Sequence, residues 1–241
     1  MYPHKVWFSL TTILLSSCFQ LQVFAQRRLP AGGRVAVIVD ERLSALRATP
    51  QLSGKLIRRV GRGRFVAVKG MKSNDGVVFY RVSLSSRTHG WMQREAIVSA
   101  TQPGDDKRLL SLILSSSDFD RITRARIFLE LFRRSKVRPQ VLLLLGDSAE
   151  EAAVKLTRDA ARRLIPPKES FAPEFSYYLN YTGLDRYNRQ NIRFTFDSTT
   201  KQFHYDGAAW LELIRRYPLS PEAAIAKQRL VAFLRVSNST H

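Results

Sequence analysis

Two hydrophobic patterns follow one another along the chain. Between residues 34 and 100, short runs rich in β-branched and aromatic residues are separated by turn residues, which predicts strands. The predicted strands cover residues 35–39, 55–60, 64–69, 77–82 and 90–92. Asp75-Gly76 lies between two of them and favours a tight hairpin, whereas residues 43–50 are predicted to form an irregular arm. Short strands so closely spaced predict a small β-barrel or sandwich.

Apolar residues recur at helical spacing after residues 101–104, which we interpret as a linker. The predicted helices cover residues 105–114, 118–132, 140–145, 149–164, 173–181, 206–217 and 221–233. Gly146-Asp147-Ser148 is predicted to separate two of these helices, and alternation at residues 192–196 and 202–205 predicts a hairpin. The predicted fold class is therefore α+β and multidomain. A small β-barrel at residues 34–100 is followed by a mainly α-helical domain at residues 105–236, with a hairpin insertion at residues 192–205.

The first 25 residues have the composition of a secretory signal peptide. Lys5 precedes an apolar run at residues 6–15, and small residues near Ala25 suit cleavage by signal peptidase. An alternative is lipidation at Cys18, because Leu15-Ser16-Ser17-Cys18 resembles the lipobox of bacterial lipoproteins. Both interpretations predict a secreted or periplasmic protein. No later apolar run approaches the roughly 18 residues that a transmembrane helix requires.

The charge of the chain is strongly positive and unevenly distributed. The formal net charge is +19, and the sequence pI is about 10.8. Residues 26–100 carry 15 Lys and Arg against 4 Asp and Glu, whereas residues 101–241 carry 23 against 16. The predicted barrel is therefore the more basic part. Such an excess predicts attraction to anionic surfaces, and it is also compatible with a solvated surface that only aids solubility.

Four segments of the predicted barrel resemble one family in order and spacing. They are Ala45-Leu46-Arg47-Ala48-Thr49-Pro50, residues 54–66, Phe79-Tyr80-Arg81-Val82 and Gly90-Trp91-Met92. Together they resemble the bacterial SH3-like (SH3b) domains, although Thr49 stands where that family usually has Gly and Phe79 where Trp is common. The resemblance implies an SH3-like barrel that acts as a non-catalytic binding module for peptidoglycan or peptides on an envelope protein.

A second resemblance involves the last two predicted helices. Residues 209–223 contain Tyr217-Pro218-Leu219-Ser220-Pro221, a turn similar to those that join the paired helices of tetratricopeptide-like envelope proteins. One good copy is present, with a weaker echo at residues 128–134. The resemblance implies a helical domain that acts as a protein-protein adaptor.

Three aromatic residues of the predicted barrel are candidates for a ligand groove. Trp91, Tyr80 and Phe79 could line such a groove, or Trp91 and one of the other two could fill the core of a small barrel. We favour a core position for Trp91. Because neighbouring residues of a strand face opposite sides, at most one of Phe79 and Tyr80 belongs to the core, and we predict that Tyr80 is the exposed one.

A cluster of basic residues lies on the predicted arm and central hairpin. The cluster comprises Arg47, Lys55, Arg58, Arg59, Arg62 and Arg64. Guanidinium groups can pair bidentately with carboxylates or phosphates, so this cluster could hold peptide-stem carboxylates, anionic wall polymer or acidic lipid. An unspecific positive face is the alternative. The predicted ligand-binding residues are Arg47, Arg58, Arg59, Arg62, Tyr80 and Trp91.

Catalytic and metal-binding motifs are missing from the sequence. His89 and His204 lack a second ligand at helical or loop spacing, and no Gly-x-Ser-x-Gly motif or phosphate-binding loop is present. We therefore predict no enzymatic activity, no metal and no cofactor.

The sequence predicts a non-enzymatic exported envelope protein. The expected partners are a cell-wall polymer or peptide and another envelope protein, and export argues against nucleic acid. The alternative function is that of a structural adaptor whose basic surface adheres to anionic envelope polymers without a specific ligand.

Overall fold

The computed structural model describes residues 32–163 and 183–238, and side chains at 32–161 and 183–232. The predicted signal peptide, with Ala25 and Cys18, lies outside the described residues. So does the helix predicted at residues 173–181.

Seven strands form one antiparallel sheet in which the order is β3-β2-β6-β5-β4-β1-β7. Their bounds are β1 (Arg34–Ile38), β2 (Ala45–Arg47), β3 (Leu56–Arg59), β4 (Phe65–Asn74), β5 (Val77–Ser83), β6 (His89–Gln93) and β7 (Ile97–Val98). A single 3-10 turn, Arg94–Ala96, connects β6 to β7. The segment predicted as an irregular arm contains β2, because Ala45 and Leu46 become buried when β2 pairs with both β3 and β6.

Strand alternation gives the sheet two distinct faces, which we call inner and outer. The inner face carries one apolar cluster, which includes Ala36, Ile38, Leu46, Val66, Tyr80, Val82, Met92 and Ile97. The outer face of β1 and β7 carries Val37, Val39 and Val98, which belong to a second cluster shared with the helices. Strands β1 and β7 are therefore apolar on both faces, which explains why residues 35–39 form an unbroken apolar run.

The two edge strands of the sheet do not close it into a barrel. Within the described residues, β3 pairs only with β2, and β7 pairs only with β1. The observed architecture is therefore an open, seven-stranded antiparallel sheet followed by helices, which confirms the mixed α and β composition. Closure into an SH3-like barrel is not confirmed.

Six α-helices are present in the described residues. Their bounds are α1 (Asp105–Leu114), α2 (Asp118–Leu131), α3 (Arg138–Arg163), α4 (Gly183–Asn188), α5 (Ala208–Arg216) and α6 (Pro221–Asn238). The prediction that Gly146-Asp147-Ser148 separates two helices is wrong, because α3 continues through it. A Cβ atom at Gly146 would collide with the Trp210 indole, so this glycine provides the space into which α5 packs.

The predicted hairpin insertion is present as β8 (Phe194–Asp197) and β9 (Gln202–Tyr205). It lies against α3 through backbone donors of β9. The Phe203 amide donates to Thr157 Oγ1 at 2.8 Å, and the Tyr205 amide donates to Glu150 Oε2 at 3.0 Å. Two backbone amides at the free edge of β9 are thus hydrogen-bonded to side chains of α3, so this edge of the hairpin is not left open to pairing with another strand.

The sheet and the helices share one apolar core. Val37, Val39 and Val98 pack in the same cluster as Leu109, Ile122 and Phe128 of α1 and α2. Polar contacts reinforce this junction: the Ser99 amide donates to the buried Asp105 carboxylate at 2.8 Å, and Arg108 donates to the Ile97 carbonyl. The helices therefore cover the outer face of the sheet at the β1 and β7 end.

Candidate functional site

The structure separates the six predicted ligand-binding residues into three places. Ala45 and Arg47 lie on the outer face, because they flank the inner-facing Leu46 in β2. Trp91 is directly opposite Arg47, and Arg59 is directly opposite Ala45, so both also lie on the outer face. Arg58 and Arg62 line a groove at one end of the sheet. Tyr80 lies on the inner face, in the apolar core. A single binding surface made of all six residues does not exist.

The outer face brings Trp91 between two arginines, and we call Arg47, Trp91 and Arg81 the Trp91 row. Trp91 of β6 is directly opposite Arg47 of β2 on one side and Arg81 of β5 on the other. Directly opposed residues of antiparallel strands have Cα atoms about 4.5–5.5 Å apart and point to the same face. Trp91 therefore lies between two arginine residues on this face.

The Trp91 row is accessible, and the strands that carry it contain no acidic residue. Trp91 is half-buried, and Arg81 is exposed with no ion pair or hydrogen bond to its guanidinium within the described part of the chain. Arg47 is positioned by donating from Nη1 to the Gly54 carbonyl at 2.8 Å. Strands β2 to β6 contain no Asp or Glu, so no carboxylate on these strands neutralises the row.

The prediction that Tyr80 is exposed is wrong. Tyr80 is 7% exposed and Phe79 is 1% exposed, so both aromatic residues of β5 are buried although they face opposite sides. Tyr80 is buried because it packs in the apolar cluster of the inner face together with Val82 and Met92. The Arg34 guanidinium lies over the Tyr80 ring, 5.3 Å from its centroid, and covers it further.

The expectation that Trp91 belongs to the barrel core is also wrong. The inner-face position of β6 is taken by Met92, which is fully buried and packs with Tyr80 and Val82. Because the side-chain period of a strand is two, placing Met92 inside directs Trp91 outwards. The sequence suggests an aromatic groove or a core for Trp91, and only the register decides between them.

Arg81 was missed by the sequence reasoning. It lies in the Phe79-Tyr80-Arg81-Val82 segment, where alternation places it on the face opposite Tyr80. Arg81 lies beside Trp91 because β5 pairs with β6, and these two strands are joined by a loop of five residues, 84–88. The alternation of β5 indicates the face on which Arg81 lies, but only the register between β5 and β6 shows that Arg81 is opposite Trp91.

Three arginines line a groove of about 620 Å³ at the loop between β3 and β4. They are Arg58, Arg62 and Arg64, and Val60 and Leu84 of the inner-face cluster form an apolar part of the lining. Arg58 reaches this side because it pairs with the inward-facing Leu46. We call this feature the arginine groove.

Arg62 is held in the junction between the sheet and α2. Its Nη1 donates to Asp120 Oδ1 at 2.8 Å and to Thr123 Oγ1 at 2.9 Å, and its Nη2 donates to Asp120 Oδ2 at 3.2 Å. This bidentate pair lowers the pKa of Asp120, chiefly through the side-chain hydrogen bond. Arg62 is consequently a structural contact as well as a lining residue of the groove.

Behind Arg62 lies a buried ion-pair cluster. Arg124 donates from Nε to the Val39 carbonyl at 3.2 Å, and its Nη2 atom is 3.9 Å from Asp40 Oδ2. Burial lowers the pKa of Arg124, with Arg62 acting in the same direction. Burial would raise the pKa of Asp40, but hydrogen bonds from Arg42 and the charge of Arg124 outweigh it, so the pKa of Asp40 is lowered.

A second cavity, of about 750 Å³, lies where the sheet meets the helices. Phe65, Pro103 and Phe132 supply apolar lining, and residues of both charges, including Glu130 and Arg133, surround it. Its mixed charge distinguishes it from the arginine groove, which has no acidic lining residue.

Among the described residues, no group of three or more His, Cys, Asp or Glu side chains is arranged to hold a metal ion. None of the helices in the described ranges has both the length and the apolar character needed to cross a membrane. In comparisons with protein-family models, with curated proteins and with solved structures, no match to this chain is found.

Proposed function

We propose that this protein is a non-enzymatic, exported envelope protein that binds peptidoglycan or a peptide through an SH3-like module. The observation that supports this proposal is the Trp91 row, in which the half-buried Trp91 lies between Arg47 and Arg81 on strands that carry no Asp or Glu. The proposed ligand site is this outer face, and Tyr80 is no longer part of it.

The chemistry of the Trp91 row suits an anionic, extended ligand. An indole offers a large apolar surface on which a sugar ring or a peptide unit can pack. The Arg81 guanidinium can form bidentate hydrogen bonds with a carboxylate, and Arg47, which already donates from Nη1 to the Gly54 carbonyl, adds a second positive charge on this face. Peptide stems of wall polymers combine these two features, since they carry carboxylates on a backbone attached to sugars.

The last helix pair supports the adaptor role that we propose for the helical region. Leu219, in the turn between α5 and α6, is 97% exposed, and Leu211 and Ile225 are 54% and 40% exposed. Where such residues form a contiguous patch, they mark a surface that contacts another protein. A tetratricopeptide-like helix pair would present such a surface.

Co-sedimentation of the purified chain, residues 26–241, with peptidoglycan sacculi tests the wall-binding part of the proposal. We expect binding that persists at salt concentrations high enough to screen surface charge. Trp91→Ala should weaken binding about tenfold or more, because a central aromatic contact typically contributes about 2 kcal/mol.

A pair of charge-matched variants separates this site from unspecific adhesion. Arg81→Gln removes a guanidinium from the Trp91 row, and Arg87→Gln removes one from the exposed loop between β5 and β6. We expect a loss of binding from Arg81→Gln only. Equal losses from both variants, together with binding abolished by salt, would instead favour a structural adaptor that adheres to anionic polymers through its basic surface.

A further inference from the structure

We propose that the arginine groove is a second binding site, distinct from the Trp91 row, and that it binds a phosphoryl group carried by an organic ligand. It lies at the β3–β4 loop and is lined by Arg58 and Arg64 together with Arg62. The Trp91 row lies on the outer face of β2, β5 and β6, whereas Arg58 shares the opposite, inner side with Leu46. The proposal therefore goes beyond the wall-binding function and does not depend on it.

The charge of the groove matches a dianion. The guanidinium groups of Arg58 and Arg64 are exposed and have no hydrogen bond or ion pair to any residue that the structure describes. Arg62 is neutralised by its bidentate pair with Asp120. Two uncompensated cations remain, and a phosphomonoester carries a charge of about −1.5 to −2 at neutral pH. A single carboxylate would leave one of the two guanidinium groups without a counter-charge.

The loop that carries these arginines is fixed before any ligand arrives. The Arg62 amide donates to Glu41 Oε1 at 2.9 Å, and the Gly63 amide donates to the Ile38 carbonyl at 2.9 Å. The Arg64 carbonyl accepts from the Ile38 amide at 3.0 Å. Because the main chain is already ordered, binding does not have to order the loop, which favours affinity.

The size and lining of the groove indicate a ligand larger than a free phosphate ion. A volume of about 620 Å³ lies within the usual range for small-molecule sites. Val60 and Leu84 provide apolar surface beside the cationic groups. The ligand should therefore join a phosphoryl group to an apolar part, as an aryl or alkyl phosphate does and as the headgroup region of an acidic lipid does.

Isothermal titration calorimetry of the chain with phenyl phosphate tests the site, with benzoate as the monoanionic comparison. We expect phenyl phosphate to bind at least tenfold more tightly than benzoate. Arg58→Gln and Arg64→Gln should each weaken phenyl phosphate binding at least tenfold. Arg59→Gln is the matched control, because it removes the same charge from the same strand but on the outer face, and it should change the affinity less than twofold.

Vesicle flotation distinguishes a soluble phosphate ester from a lipid headgroup. If the groove takes a lipid, vesicles that contain phosphatidic acid should retain the wild-type chain, and Arg58→Gln should release it while Arg59→Gln does not. Phenyl phosphate binding that depends on Arg58, without vesicle retention, supports a soluble ligand. Equal effects of Arg58→Gln and Arg59→Gln, or no binding of either probe, would overturn the proposal. Binding of phenyl phosphate should be unchanged in Trp91→Ala, and sacculus binding should be unchanged in Arg58→Gln.

Discussion

The substitution Arg124→Met should destabilise the protein, because Arg124 connects α2 to the sheet from a buried position. Its side chain is 7% exposed, and it holds the Val39 carbonyl at 3.2 Å and faces Asp40 at 3.9 Å. Removal of one partner from a buried ion pair typically costs about 3–5 kcal/mol. Asp40 keeps its hydrogen bonds from Arg42, so we expect a loss near the lower end, about 3 kcal/mol in the free energy of unfolding.

Urea denaturation followed by circular dichroism measures this loss. With a slope of about 2 kcal/mol per molar urea, the midpoint should fall by about 1.5 M. Arg126→Met is the control, because Arg126 lies on the same helix and has no hydrogen bond or ion pair within the described ranges. It should change the stability by less than about 0.5 kcal/mol.

The competing effect is desolvation, since replacing a buried charged group by an apolar one of similar size is often neutral or stabilising. An Arg124→Met variant as stable as the wild type would show that the cost of burying the guanidinium equals what its contacts contribute. That result would refute the reasoning. A loss equal to that of Arg126→Met would do the same.

Three further predictions concern the core and the junction. Gly146→Ala should lower the melting temperature, because the new methyl group meets the Trp210 indole. This clash has to outweigh the preference for Ala over Gly inside helices, which is about 1 kcal/mol. A raised melting temperature would contradict this packing. Tyr80→Ala should lower the free energy of unfolding, measured by urea denaturation, by about 3 kcal/mol, as truncations of aromatic core residues do. Tyr80→Phe should lower it by less than about 1 kcal/mol. A Tyr80→Ala variant of wild-type stability would place the ring outside the core. The lowered pKa of Asp40 contributes stability that is present above the ordinary carboxyl pKa and is lost as the pH falls through the folded-state pKa. Urea midpoints of the wild type should therefore drop below about pH 4, and those of Asp40→Asn should drop less. An equal drop in both proteins would exclude Asp40 as a source of this pH dependence.

Local signals in the sequence were sufficient for much of the secondary structure. The bounds of α1 agree with the structure, and the β8–β9 hairpin lies within the predicted segment. The turn before α6 also follows its local signal, since Ser220 Oγ accepts from the Ala223 amide at 3.2 Å. These features depend on residues within a few positions of one another, which is the range over which turn and capping preferences act.

Long-range contacts account for the predictions that were wrong. Gly146 looks like a helix breaker in its own segment, and it stays helical because Trp210, distant in sequence, packs against it. The burial of Tyr80 follows from strand pairing, which places it opposite Met92 within the apolar cluster of the inner face.

The candidate binding residues show the same division. Residue types and charge, read along the chain, pointed to Trp91 and to the arginines of the central hairpin. Which arginine accompanies Trp91 was decided by the pairing of β2, β6 and β5, which places Arg47 and Arg81 beside it. Neighbouring positions in β3 send Arg58 to the groove and Arg59 to the outer face, because side chains alternate along a strand and only the register with β2 assigns each face.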